Sequence, residues 1–360
     1  MFTISDIVNI IHKNDICIMV IKKTKRVLTQ NDIAKIIGVS PMTVSRTINK
    51  EKYVKDVTRK RIYDAIKKFS YEPNYFARSL KIKKNRTRTI GVTLGDIENP
   101  FYSRVFKGVM DVCEKNDLTA IVCNTYYDKD LSSKNIQMLI DRGIEGVLIT
   151  SEVVKAKTII LLQKKNIPFV LIGDRVDKPD INYVVIDNYK GFKKVLDYLL
   201  ELGHKKIFYL RSPNIFSANE RLRAYSYFLK DNNISLENNI SESLYNIDES
   251  YKYVNKNINN IKKFTAIVCG NDIVAIGAMK ALKENNIKIP NDISITGFDN
   301  IKMTDLLYVP LTTISQPKYL LGKKSMELLV EILKNKGSKK SKKIVLDTEI
   351  IIRESCRRLT

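Results

Sequence analysis

The segment Thr29-Gln-Asn-Asp-Ile-Ala-Lys-Ile-Ile-Gly-Val-Ser-Pro-Met-Thr-Val-Ser-Arg-Thr-Ile48 contains two helix starts and one helix stop. Thr29 can cap a helix, with Asp32 reaching back from the third helical position to complete a reciprocal capping box. Ile33, Ala34, Ile36 and Ile37 then supply an apolar face. Gly38 ends that helix, because glycine takes the left-handed conformation of a helix end at no steric cost. Ser40 caps the next helix. Pro41 fits its first turn, where the missing N–H had no intrahelical partner to lose. The second helix runs from Pro41 to Ile48, with Val44 and Ile48 inward. A third, about Val57 to Phe69, buries Ile62, Ala65, Ile66 and Phe69. Three short helices joined by a Gly-Val-Ser turn predict a helix-turn-helix, whose second helix enters the major groove of duplex DNA by its N-terminal end.

Charge agrees with that reading. The 360 residues include 62 Lys/Arg against 39 Asp/Glu, a net of +23, which favours a polyanionic partner. Residues 28–88 hold 16 basic against 5 acidic residues, a net of +11, whereas the far longer 89–360 carries only +9. Half the excess therefore sits in one small N-terminal block. A second basic cluster, Lys334 to Lys343, reads as a solvated loop before the last strand. On the second helix Arg46 is the candidate base reader, since a guanidinium can make two hydrogen bonds to guanine O6 and N7. Met42 either fills a packing gap or touches a thymine methyl. Thr43, Ser45 and Asn49 are short polar groups suited to phosphate contacts, which position the protein without reading sequence.

Several function classes are excluded. A hydrophobic content of 44% is ample for packed cores. The five cysteines, Cys17, Cys113, Cys123, Cys269 and Cys356, are odd in number and form no CxxC pair, so reduced thiols fit better than a disulfide framework or a zinc site. No run approaches the ~18 apolar residues of a membrane span. G-x-G-x-x-G, P-loop and G-x-S-x-G motifs are absent, which weakens dinucleotide, nucleotide and hydrolase readings. No cofactor and no catalytic residue is expected, and the compartment is expected to be cytoplasmic.

From residue 89 apolar β-rich runs alternate with helical stretches: Thr89–Leu94, Thr119–Cys123, Gly146–Ile149, Phe169–Ile172, Tyr183–Ile186, Lys206–Leu210, Thr265–Cys269 and Ile293–Thr296. This is the pattern of parallel sheets covered on both faces, and its length suggests two lobes. Leu118–Cys123 and Phe264–Cys269 share Thr-Ala-Ile-Val-Cys, read as two buried strands with similar needs. Met279 has core spacing. His204 follows a glycine that ends a helix and reads as structural, near a helix C-terminus that favours a cation.

Gln30 to Asn49, continued by Tyr71-Glu-Pro-Asn-Tyr-Phe-Ala-Arg-Ser-Leu80, closely resembles the LacI/GalR family of bacterial repressors, and the likeness extends over residues 28–356. The resemblance implies a fold class of α/β, with an all-α helix-turn-helix headpiece and two Rossmann-like lobes like those of periplasmic sugar-binding proteins. It implies a domain order of an N-terminal extension (1–27), a DNA-binding headpiece (28–73), a hinge helix and linker (74–88) and a two-lobed effector and dimerisation body (89–360). Thr29, Ser40 and Pro41 join the groove-facing residues above as DNA contacts. In the hinge, Asn74, Ala77 and Arg78 contact DNA and Leu80 wedges into the minor groove.

The same likeness implies effector residues in a cleft at strand ends, the expected ligand site in such sheets. Phe101 or Tyr102, in Asn-Pro-Phe-Tyr, would stack on a sugar ring. Arg221, in Arg-Leu-Arg-Ala-Tyr, would be the effector arginine, with Ala224 replacing the family's usual glycine. Asn271, Asp299 and Gln316 complete the set, with Asp174 added where either it or Gly173 faces the cleft. The implied protein is a ligand-responsive regulator of a carbohydrate operon, a homodimer on double-stranded operator DNA with a sugar or sugar-acid effector. Repressor or activator, inducer or co-repressor, stay open. A sugar-binding receptor with an incidental basic N-terminus and an enzyme on a similar scaffold are the competing readings. Because the resemblance begins near Leu28, the leader predicts either translation from Met19 or poor order over residues 1–20.

Overall fold

The structure is a computed structural model that describes residues 11–13, 16–18, 28–48, 53–71, 87–150, 154–173, 175, 180–234, 239–335 and 341–359. The expectations for Met19, Asn49, the hinge with Asn74, Ala77, Arg78 and Leu80, and Asp174 fall outside these residues. The chain divides into two compact units, Met1–Asn85 and Arg86–Thr360.

In the first unit, β1 (Ile11–Lys13) and β2 (Ile16–Ile18) pair antiparallel within the leader, an element the sequence reading did not anticipate. Three helices follow: α1 (Gln30–Ile37), α2 (Pro41–Ile48) and α3 (Asp56–Lys68). The capping box forms as expected, Asp32 N donating to Thr29 Oγ1 at 3.3 Å and Thr29 N to Asp32 Oδ2 at 2.7 Å. Gly38 takes φ +74°, where a side chain would be strained. Ile33, Val44 and Ile62, all fully buried, join Leu28, Ala34 and Tyr71 in one small core. Ile48, Ile66 and Phe69 pack against it half-buried, so they are less inward than predicted. Thr47 is the inward residue the sequence did not suggest.

The second unit has two lobes, each a six-stranded sheet. Lobe one orders its strands β13 (Lys343–Leu346), β7 (Tyr183–Ile186), β6 (Phe169–Ile172), β5 (Gly146–Ile149), β3 (Thr89–Leu94) and β4 (Thr119–Asn124), all parallel. Lobe two orders β14 (Glu349–Ile351), β12 (Thr312–Ser315), β11 (Ser294–Asp299), β10 (Ala266–Cys269), β8 (Ile207–Arg211) and β9 (Ile240–Ser243), parallel except for β14. The chain passes between lobes three times: after β7, between β12 and β13, and between β13 and β14.

Helices cover both faces of each sheet, as parallel strands require. In lobe one α4 (Pro100–Lys115) and α12 (Lys318–Lys334) share one face, and α5 (Lys129–Asp141) and α6 (Ala156–Lys164) the other. In lobe two α7 (Asn188–Glu201) and α8 (Phe216–Asp231) oppose α9 (Ile247–Lys256), the one-turn α10 (Ile258–Ile261) and α11 (Asp272–Glu284). Met279 is core, as its spacing predicted.

Two readings need correction. The repeated Thr-Ala-Ile-Val-Cys does not mark two buried strands: β10 is central and buried throughout, whereas β4 is an edge strand and only Cys123 in it is buried. His204 is structural, but not as a cation at a helix end. It is fully buried, Nε2 donating to the Arg357 carbonyl at 3.0 Å and Nδ1 facing the Thr265 hydroxyl at 3.0 Å. Burial pushes its pKa down, so it is held neutral.

Candidate functional site

On the headpiece, α2 presents one polar row outward. Val44 and Thr47 are buried, while Pro41, Met42 and Arg46 are exposed and Thr43 and Ser45 half-exposed. Met42 is 61% exposed, so the packing alternative fails for it. The helix start is fixed by Ser40, whose Oγ accepts from Thr43 N at 3.1 Å. Gln30 Nε2 donates to the Pro41 carbonyl at 2.6 Å, Arg61 to the Ile37 carbonyl at 3.0 Å and Tyr63 to the Thr47 carbonyl at 3.1 Å, which tie the three helices together. Thr29 is exposed at the start of α1 but spends its side chain on the cap. The result is a helix tied to its neighbours, with Met42 and Thr43 exposed or half-exposed in its first turn and Arg46 exposed in its last, groups that a major groove accepts.

The body holds a cavity of about 610 Å³, mouth included, between the carboxyl ends of the two sheets. Lobe one contributes Asn99, Phe101, Tyr102, Tyr127, Thr150 and Gly173; lobe two contributes Ser212, Ser217, Arg221, Asn271, Asp299 and Gln316. Six of the seven sequence-proposed residues thus meet here, and the seventh, Asp174, is outside the described set. Gly173 itself reaches the cavity with φ +75°, a conformation that favours glycine.

Asn99 caps α4, accepting from Phe101 N at 2.9 Å, and so aims the two aromatic residues that follow. Phe101 and Tyr102 meet edge to face, with centroids 5.2 Å apart. Arg221 is not at a strand end, as expected, but on the second turn of α8. The residue is 6% exposed, and its guanidinium carbon lies 3.7 Å from the centroid of the Phe298 ring. Nε and Nη2 both donate to Asn188 Oδ1, at 3.0 and 2.9 Å, and Nη1 donates to the Gly270 carbonyl. The replaced glycine, Ala224, is accommodated in the helix interior at 2% exposure.

Asn271 caps α11, its Oδ1 accepting from Val274 N at 2.9 Å, while also lining the cavity. Asp299 ends β11 at φ +125°, backbone strain of a kind that concentrates at ligand sites. Gln316 Nε2 donates to Asp299 Oδ1 at 2.5 Å. Behind them Asp272 is fully buried, accepting from Ile301 N at 2.8 Å and the Thr313 hydroxyl at 2.6 Å. Burial pushes the Asp299 carboxyl up to about 7, against the pull of Arg221 and with the push of Asp272. Burial likewise raises Asp272 to about 6, against its two hydrogen bonds. Lys318, donating to the carbonyls of Asp299 and Asn300, is lowered by burial despite both carboxylates. Arginine, carboxyl and amide groups on one wall with aromatic rings on the other can grip a polyhydroxylated ring by its edge and its face.

Sequence reasoning missed Asn188, Phe298, Tyr127 and Ser212. Asn188 follows β7 directly, and Phe298 stands inside the quoted Gly-Phe-Asp motif. The Ser212 hydroxyl is buried with no hydrogen-bond partner among the described residues.

Residues 29–74 match the family of bacterial regulatory proteins, lacI family, and residues 196–356 match a periplasmic binding protein-like domain. A transcriptional repressor, PurR, of Mannheimia succiniciproducens is 31% identical over 334 residues, 92% of this chain and 99% of the relative. A transcriptional regulator, RegA, of Clostridium acetobutylicum is 36% identical over 91% of this chain and 98% of its own. A LacI family regulator of Enterococcus faecium, solved with bound ribose, superposes with a TM-score of 0.70 at 27% identity, covering 76% of this chain and all of its own. A helix-turn-helix head joined to a body with a periplasmic binding protein-like domain defines a DNA-binding transcriptional regulator. This chain belongs to the LacI family of bacterial transcriptional regulators, which sets aside the receptor reading. No helix among the described residues is long and apolar enough to cross a membrane.

Proposed function

We propose that the chain is a repressor of a carbohydrate operon, released from or locked onto its operator by a sugar or sugar acid in the cleft. The reading rests on one observation above the others: Arg221, Asn271, Asp299 and Gln316 from lobe two face Phe101 and Tyr102 from lobe one around a single cavity. The ribose held by the Enterococcus faecium regulator supports a sugar-class ligand.

In this account the segment 28–73 is the DNA-binding head, 74–88 the hinge and 89–360 the body. Met42 and Arg46 face base edges, Thr43, Ser45 and Asn49 position the head on phosphates, and Thr29, Ser40 and Pro41 also lie against the DNA. In the hinge, Asn74, Ala77 and Arg78 contact DNA and Leu80 wedges into the minor groove. Two chains act together on a pseudo-palindromic site. Met303, Leu306 and Tyr308, exposed on lobe two at 41%, 76% and 49%, offer apolar surface for a second copy. A ligand that touches both lobes favours one lobe arrangement by its differential affinity, and the hinge carries that bias to DNA.

The test is a melting-temperature screen of sugars and sugar acids, followed by operator titrations with each hit. A ligand bound by the folded state alone stabilises it by about 2.7 kcal/mol at a hundredfold excess over Kd. Arg221→Ala abolishes the shift; a full shift in that variant removes Arg221 from the site.

A further inference from the structure

Tyr127 belongs to no motif quoted above, yet its placement is built into lobe one. It immediately precedes Asp128, the N-cap of α5, whose Oδ1 accepts from Leu131 N at 2.6 Å. Tyr126 and Tyr127 both occupy the left-handed region, at φ +49° and +57°, which side-chain-bearing residues rarely adopt in succession. Tyr127 N donates to the Gly95 carbonyl at 3.2 Å. Gly95 leaves room for the ring: a Cβ here would lie 2.5 Å from the Tyr127 ring and 2.6 Å from the Tyr102 hydroxyl and would push both side chains.

Lobe two presents a counterpart. Tyr245 likewise precedes an N-cap, Asn246, after the edge strand β9. Its N–H donates to Glu249 Oε2 at 2.8 Å, and Glu249 N donates back to Asn246 Oδ1 at 2.8 Å. The two rings meet edge to face across the cleft, centroids 6.0 Å apart. Tyr127 lines the inner cavity, whereas Tyr245 lines a separate outer groove on lobe two with Glu242, Glu249 and Lys252. The ring contact therefore stands where cavity and groove meet, on two backbones that capping has fixed.

We propose that the Tyr127–Tyr245 contact sets an upper size limit on the effector, so that the cleft accepts a single-ring sugar and rejects a disaccharide. This rests on the cleft being the sugar site. A second ring would have to project past Tyr127 into the outer groove, and a fixed steric element aimed against the larger ligand is an economical way to discriminate.

The test uses the full chain with D-xylose, D-glucose and D-galactose against xylobiose, cellobiose and lactose, read by melting temperature and titration calorimetry. At least one monosaccharide binds the wild type, and the disaccharide containing that ring binds at least about tenfold more weakly. Tyr127→Ala narrows this ratio about tenfold, Tyr245→Ala narrows it from the other lobe, and Tyr127→Phe, which keeps the ring, preserves it. A disaccharide bound by the wild type as tightly as its monosaccharide overturns the size limit and leaves the sugar site standing. So does an unchanged ratio in both alanine variants. Absence of binding by every sugar, in wild type and variants alike, overturns the sugar site and the size limit together.

Discussion

Asn188 holds Arg221 over Phe298: one amide oxygen accepts from both Nε and Nη2 of the guanidinium, at 3.0 and 2.9 Å, with the guanidinium carbon 3.7 Å from the ring centroid. A buried cation held this way is oriented before any ligand arrives, which lowers the ordering cost of binding. Asn188→Ala leaves two donors of a buried charge without their acceptor and costs about 2–3 kcal/mol of stability by urea denaturation. In Asn188→Ala/Arg221→Met the stranded charge is gone, so the double variant recovers part of that loss. Strict additivity of the two single losses would mean the pair is not coupled.

The cleft carboxyls predict a pH dependence with a definite sign. Burial raises Asp299 to about 7 and Asp272 to about 6, both above the ~3.9 of an unfolded aspartate. The folded state therefore holds protons that the unfolded state has released between pH about 4 and about 7. The associated stability is full below pH about 4 and is lost as pH rises through 7. His204 acts oppositely, because burial lowers its pKa and its contribution is lost as pH falls below its unfolded value. Comparing wild type with Asp299→Asn cancels His204. Relative to the variant, the wild type loses about 3 kcal/mol between pH 4.5 and 8 by chemical denaturation. Parallel profiles would place the Asp299 pKa at its ordinary value.

Two glycines let α4 and α12 touch. A Cβ on Gly322 would lie 1.9 Å from the Val105 carbonyl oxygen, and one on Gly108 would lie 2.2 Å from that of Tyr319. Backbone cannot step aside as a side chain can, so each glycine-to-alanine change forces the helices apart and costs about 3 kcal/mol. Thermal unfolding checks this; a loss under about 1 kcal/mol would mean the helices slide freely.

The headpiece was legible because its signals are local: a cap, a stop and an apolar stripe lie within a few residues of one another. Central strands of both lobes were legible because strands buried on two faces read as continuous apolar runs. The edges were not. β9, β13 and β14 bury little, and β12, though mostly buried, is Thr-Thr-Ile-Ser, whose hydroxyls hide it. Nothing local says that β13 joins one sheet and β14, three residues later, the other. In the cleft the motif residues were found, but Asn188, Tyr127 and Ser212 were not, since a short polar or aromatic residue after a strand becomes a ligand wall only through long-range packing. His204 was misread for the same reason: a helix end speaks of the dipole and is silent about burial.

For the headpiece, Arg46→Ala lowers discrimination at one base pair by about 1–3 kcal/mol while weakening binding to unrelated duplexes far less. Thr29→Ala removes the cap and lowers head stability by about 1 kcal/mol. Fluorescence anisotropy at fixed salt, with a selected operator and its single-base variants, separates the two. Uniform loss across all duplexes on Arg46→Ala would make that residue a phosphate contact instead.

The most direct measurement is operator affinity of the full chain at physiological salt, with and without a sugar that raises its melting temperature. The account predicts a strong preference for one pseudo-palindromic duplex, changed by the sugar about 5-fold or more in either direction, and no change in Arg221→Ala. Equal affinity for every duplex, or an operator affinity indifferent to a sugar that demonstrably occupies the cleft, would contradict it.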